Sequence, residues 1–290
     1  MVFNKGSELL NLCNEKNKKI SEIVLLKEQS FSDLTIEEIR EKMMDALDVM
    51  KESANAALNQ KIVSVSGMTG GDSKKVEDYR KNNKPLSGVF INSAMAKALS
   101  TSEVNASMGR IVAAPTAGAS GILPSAILSA KEKLDLSDEE LVNGLFTASG
   151  IGEIVAKNAT ISGAEGGCQA ECGVAAAMAA GALVEMSGGT PEQALDAASF
   201  ALINVMGLVC DPVGGLVEYP CALRNASGVV NAFTSADLAL AGVKSLVPFD
   251  EVVEAMYRVG KALPETLRET ALGGLAATPT ARRVTGNSPQ

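Results

Sequence analysis

Histidine is missing from this 290-residue chain altogether, and that absence excludes more chemistry than any other feature of the composition. Without imidazole no side chain has an ordinary pKa near neutrality, so the usual general base, a common zinc ligand and the Ser-His and Cys-His nucleophile pairs are all ruled out. Proton transfer must fall to Lys, Glu, Asp, Ser or Tyr, or to a group brought by another chain. Tryptophan is also absent and aromatics make up 3% of residues, too few to build stacking platforms for bases or sugars. A net charge of -8 gives no general attraction to nucleic acid or to an anionic membrane. No apolar run is long enough to span a bilayer: the Ala-rich run after Gly173 is closed by Glu185, and the run from Ala197 to Val209 is short. The N-terminus lacks the basic start, apolar middle and small-residue cleavage site of a secretory signal, and the five cysteines are an odd number. Both features predict a cytoplasmic chain with reduced thiols.

What is present reads as an all-α fold with few or no short strands. Apolar residues recur three to four apart from Ser7 to about Gln29, which predicts one amphipathic helix. Thr35 with Glu38 is a capping-box pair opening a second helix to about Leu58, and Ser137 with Glu140 opens another. Thr190-Pro191, with Gln193 behind them, starts a further helix, and Asp250 is placed to cap the helix that follows it. Val89 to Leu99 is helical by the same periodicity. The stretch from Ile62 to Gly88 is rich in Ser, Gly, Lys and Asn and reads as a loop. Its Gly-Met-Thr-Gly-Gly segment lacks the Gly-Lys-Ser/Thr ending of a phosphate loop. Ile62 to Val65 and Gly228 to Ala232 are the only strand candidates. These features divide the chain into an N-terminal helical segment, residues 1–60, and a helical body, residues 61–290, with one continuous domain as the alternative.

Two stretches carry chemistry. Pro115 to Gly121 is a run of small residues leading into a helix that begins between Ile122 and Ser125, and such a terminus offers N–H groups and a positive dipole end to a carboxylate or a phosphate. A tight interhelical turn fits the same residues. The stretch from Ser162 to Asn225 holds Cys168, Cys172, Cys210 and Cys221. Their spacing has neither the paired C-x2-C of a structural zinc site nor a bacterial ferredoxin run, and buried thiols often pack as small hydrophobes. Local sequence favours a metal site: Asp211-Pro212 follows Cys210 and Pro220 precedes Cys221, which places both thiols at turns. Thiolates without imidazole select iron-sulfur clusters or zinc.

The segments APTAGASGILP, ISGAEGGCQAECG, CDPVGGLVEYPCALRNA and RETALGGLA, spread from about Gly109 to Ala276, make the chain resemble the alpha subunits of two-chain bacterial iron-sulfur L-serine dehydratases. That resemblance implies a [4Fe-4S] cluster held by Cys168, Cys210 and Cys221, within a catalytic domain over residues 61–290, and no pyridoxal phosphate. It also implies conversion of L-serine to pyruvate and ammonia, with an open iron acting as Lewis acid on the substrate hydroxyl. A related iron-sulfur lyase for another beta-substituted amino acid such as cysteine, or a non-catalytic iron-sulfur sensor, is the alternative. Single-chain relatives can end in a cysteine that caps the fourth iron, whereas this sequence ends Asn287-Ser288-Pro289-Gln290. The family's histidine-containing motif is implied to come from a beta chain. Carried onto this sequence, the substrate-binding set is Thr116, Gly118, Ala119, Ser120, Gly121, Asn158, Arg224 and Asn225. The acid-base candidates are Lys157, Ser162, Glu165 and Glu171. No nucleic acid and no membrane is expected as a partner.

Overall fold

The computed structural model describes residues 2–286, and those residues form an all-helical protein without a sheet. Asn287 to Gln290, the tail that bears on a capping cysteine, lie outside them. Only two isolated bridges occur among the described residues, Val63 with Gly70 and Cys210 with Arg268. Both strand candidates therefore fail: Ile62 to Val65 contributes a single bridge, and Gly228 to Ala232 lies inside a long helix. Period-two alternation over four or five residues is too short to outweigh a helical surround.

Three helices open the chain: α1 (Gly6–Lys16), α2 (Ile20–Phe31) and α3 (Ile36–Ala56). The single helix expected over Ser7 to Gln29 is broken because Asn17 takes a left-handed conformation (φ 49°) as a C-cap and Lys19 begins a new helix, with Glu22 accepting from its N–H at 2.9 Å. The predicted loop after Ile62 contains α4 (Asp72–Asn82). Its helicity comes from Lys75–Asp72, Lys74–Asp78 and Arg80–Glu77 pairs one turn apart, with little apolar periodicity to signal it. Next come α5 (Gly88–Ala106), α6 (Ile122–Leu134) and α7 (Asp138–Asn158), the last capped by Ser137 and Glu140 as the sequence indicates.

The core is centred on α9 (Val174–Met186), whose residues Val174 to Glu185 are all buried. It packs on α7, on α6, on α10 (Pro191–Ile203) and on α11 (Cys221–Leu240). Its alanines let four neighbours approach one helix closely, so it has no polar face to show to water. α12 (Phe249–Ala262) lies against α10 and α1. Asp250 does not cap α12; it sits in that helix's first turn and its carboxylate accepts instead from Gly6 N at 2.6 Å and Ser7 N at 3.1 Å, capping α1 across the molecule. A short helix α13 (Pro279–Val284) closes the described chain. No helix among the described residues is long and apolar enough to cross a membrane.

Candidate metal and active centre

Three segments deliver the thiols. The first is a glycine-rich turn: a one-turn helix α8 (Gly163–Gly166) leads through Gly167, at φ 77°, to Cys168 and then to a π-helical turn over Gln169–Gly173. Wide π turns recur at functional sites because they re-aim side chains that an α-helix would bury in its own stack. The Gln169 amide holds this turn in place. Its Nε2 donates to Gly166 O and Met256 O, and its Oε1 accepts from Gly207 N at 2.8 Å. The second segment carries Cys210, which is held by backbone pairing to the C-terminal stretch: Cys210 N donates to Leu267 O, and Glu269 N to Cys210 O at 2.7 Å. The third is the first residue of α11, Cys221.

The side chains converge. Cys168 and Cys172 share a hydrogen bond at 3.3 Å between sulfurs, and Cys210 Sγ lies 3.6 Å from Glu171 Oε2. Glu171, Cys210 and Glu269 bring their ligand atoms within 4.8 Å of one another. Burial, then the Glu171 carboxylate and the other thiols, pushes the Cys210 thiol far up, and burial with Cys168 and Glu171 pushes Cys221 up to about 12. Cys168 is held below an ordinary thiol by its hydrogen bond with Cys172, which outweighs burial, with the Arg224 charge adding to the effect. Burial also raises Glu171, reinforced by Glu269. Thiols and a carboxyl crowded together where burial and their neighbours disfavour ionisation suit a multivalent cation or an iron-sulfur cluster. The main chain leaves room beside them: a Cβ on Gly163 would sit 3.0 Å from Cys210 Sγ and 2.4 Å from Glu171 Oε2. The soft, histidine-free donor set therefore fits a thiolate-held cluster. Cys13 lies apart, on the buried face of α1, and is pushed up to about 12 by burial, Glu185 and Glu22.

Of the sequence-predicted residues, Glu171, Thr116, Gly118, Arg224 and Asn225 do meet at this place. Thr116 Oγ1 donates to Glu171 Oε1 at 2.8 Å. The Arg224 guanidinium pairs with Asp211 at 2.7 Å and reaches Cys168. Asn225 is buried, and its amide is occupied by backbone: it donates to Gly118 O and Cys221 O and accepts from Gly121 N at 2.8 Å. It thus joins the small-residue turn to the Cys221 segment. That turn is also tighter than an open anion seat. The N–H groups of Ala119, Ser120 and Gly121 all have acceptors within the protein, and Ser120 Oγ donates to Ala117 O.

Lys157 and Asn158 face elsewhere. Lys157 pairs with Glu153 and donates to Asn4 Oδ1, and Asn158 donates to Asn4 O. Glu165 is exposed on α8, and Ser162 caps that turn with its carbonyl, accepting from Gly166 N at 2.9 Å. Sequence reading missed Asp211, which accepts from Leu275 N at 2.7 Å as well as from Arg224. It also missed Glu269, whose positive φ of 63° is fixed by the Cys210 pairing, and Gln169. Each lies beside a cysteine or within a quoted motif, so adjacency was the available signal.

An all-helical protein whose three cysteine segments meet a half-buried carboxylate and a half-buried guanidinium carries the makings of an enzyme site rather than of a plain helical scaffold. Residues 15–276 match the family model described as serine dehydratase alpha chain, and the chain belongs to that family. It is 56% identical to the L-serine dehydratase alpha chain of Peptoniphilus asaccharolyticus, over 98% of this chain and 97% of that one. It is 48% identical to the probable L-serine dehydratase alpha chain of Bacillus subtilis, over 98% and 94%. The L-serine dehydratase of Helicobacter pylori is 40% identical over 95% of this chain, which covers 62% of that longer protein.

Proposed function

We propose that this chain is the alpha chain of an iron-sulfur L-serine dehydratase, a lyase that turns L-serine into pyruvate and ammonia. The observation that carries the reading is the convergence of the Cys168, Cys210 and Cys221 segments around Glu171, with Arg224 reaching Cys168. Those three thiolates hold a [4Fe-4S] cluster, which when bound supplies a Lewis-acidic iron that turns the substrate hydroxyl into a leaving group. Cys172 lies within the nest but is not needed as a ligand. Pyridoxal phosphate has no part in the reaction.

The protein's own residues bind and orient. Arg224, with guanidinium donors beyond the one given to Asp211, takes the substrate carboxylate. Glu171 is a half-buried carboxyl whose raised pKa suits proton exchange, and Thr116 Oγ1 orients it. Loss of the alpha proton and of water leaves an enamine, which tautomerises and hydrolyses to pyruvate and ammonia. A chain without histidine has no imidazole to serve as base, and we assign that group to a beta chain. The relatives named as alpha chains support a partner, as does the longer Helicobacter protein, which continues beyond the matched region.

The test is anaerobic purification with iron and sulfide analysis of wild type, Cys168→Ala, Cys210→Ala, Cys221→Ala and Cys172→Ala, beside serine-to-pyruvate assays with and without the beta chain. Iron and turnover are lost together in the first three variants and kept in Cys172→Ala. A wild type that takes up no iron after reconstitution sinks the cluster. A cluster with every iron ligated and no turnover once the beta chain is added replaces the enzyme by a sensor.

A further inference from the structure

The loop between Ile62 and Gly71, whose glycine pattern matches no phosphate loop, is joined to the thiol centre by one buried carboxylate. Glu218 lies on the segment between Cys210 and Cys221 and is 6% exposed. Its Oε2 accepts from Ser66 Oγ and from Thr69 Oγ1, both at 2.9 Å. A buried carboxylate held by two neutral hydroxyls depends on both, because losing them leaves charge without a partner. The backbone of Glu218 leads straight into Cys221: Glu218 O accepts from Ala222 N at 3.0 Å in the first turn of α11, and Tyr219 O accepts from Val213 N at 2.8 Å. Wherever Glu218 sits, the start of α11 must follow.

The loop is built to hold its end of this clasp. Val65 N donates to Ala106 O, Ser64 N to Thr69 O, and Gly71 N to Ile62 O, so the base is fixed to α5 and to itself. Ser66 Oγ also accepts from Met68 N at 3.0 Å, which turns its hydrogen towards Glu218. The tip is open: Val65 is 76% exposed, and a Cβ on Gly67 would meet nothing within 4 Å. Met68 and Tyr219 line one groove of about 390 Å³ with Val213 and Leu275, so loop and thiol segment share a wall.

We propose that Ser66 and Thr69 clasp Glu218 and thereby set the position of the Cys221 thiol. All three are positioning residues of the centre. The clasp rests on the reading of Cys221 as a metal-binding thiol, and its test is kept separate from that reading. In the full chain, reduced and stripped of metal with a chelator, iodoacetamide labelling of each cysteine is followed by peptide mass spectrometry, with Cys13 as internal reference. Ser66→Ala combined with Thr69→Val removes both hydroxyls at nearly constant volume. It raises the labelling rate of Cys221 relative to Cys13 by about tenfold, the factor expected from losing roughly 1.4 kcal/mol of local hydrogen bonding. Thr69→Ser, which keeps the hydroxyl, stays close to wild type. An unchanged Cys221 rate, or one that rises in step with Cys13, overturns the clasp. Iron uptake by the wild type is measured in parallel: cysteine-dependent uptake that fails removes the metal reading while the labelling still decides the clasp.

Discussion

Glu103 shows what a single buried carboxyl does to this protein. One oxygen accepts from Asp72 N at 2.6 Å and Ser73 N at 3.0 Å, capping α4, while the other is buried with no partner. Burial outweighs those bonds and raises its pKa above the ordinary 4.5. The folded state therefore holds the proton more tightly than the unfolded chain does. The stabilisation this provides is complete below about pH 4.5 and is lost as the pH rises through the folded-state value. Urea midpoints for wild type and Glu103→Gln at pH 4.5 and 7 check this: wild type loses ground to the variant as the pH rises, and a constant gap refutes it. At this scale the cysteines were legible because Pro and Asp punctuate them. Glu103, Glu218 and Asp211 were not, because a carboxylate's role depends on which distant N–H or O–H comes to meet it.

Elements in this fold are separated by very little space, and Gly121 is the sharpest case. At an ordinary φ of -83°, it is no conformational requirement; a Cβ there would lie 2.4 Å from the Ala98 carbonyl oxygen and 3.0 Å from Asn225 Oδ1. A backbone oxygen inside α5 cannot yield as a side-chain tip can. Gly121→Ala is accordingly expected to cost about 1–3 kcal/mol, seen as a lower urea midpoint at unchanged slope. A variant as stable as wild type would show that α5 and α6 slide apart freely. The small-residue turn before α6 was thus legible as a turn, and its function as an open anion seat was not. Three of its N–H groups face acceptors contributed by the turn itself and by Asn225, 104 positions away. The same distinction holds for α4, whose charge pairs are visible in sequence only once a helix is assumed, and for Asp250, whose position predicts a cap but not which helix it caps.

Taken whole, the molecule is a helical body around an alanine-rich axis with four of its five thiols gathered at one place, and it brings no histidine to that place. The expected consequence is that the chain alone turns over no serine, that pyruvate forms on adding the beta chain, and that the two elute together on size exclusion. Full turnover by the chain alone would return the proton chemistry to Glu171. The sequence by itself determined the helical class and most helix starts, because capping and periodicity act over a few residues. Tertiary structure alone decided which candidates meet. It sent Lys157 and Asn158 to the N-terminal segment, brought Glu269 to Cys210, and joined Ser66 and Thr69 to Glu218. The physical reason is that a buried polar group takes whatever partner the packing of distant helices supplies, and that partner is not written next to it in the chain.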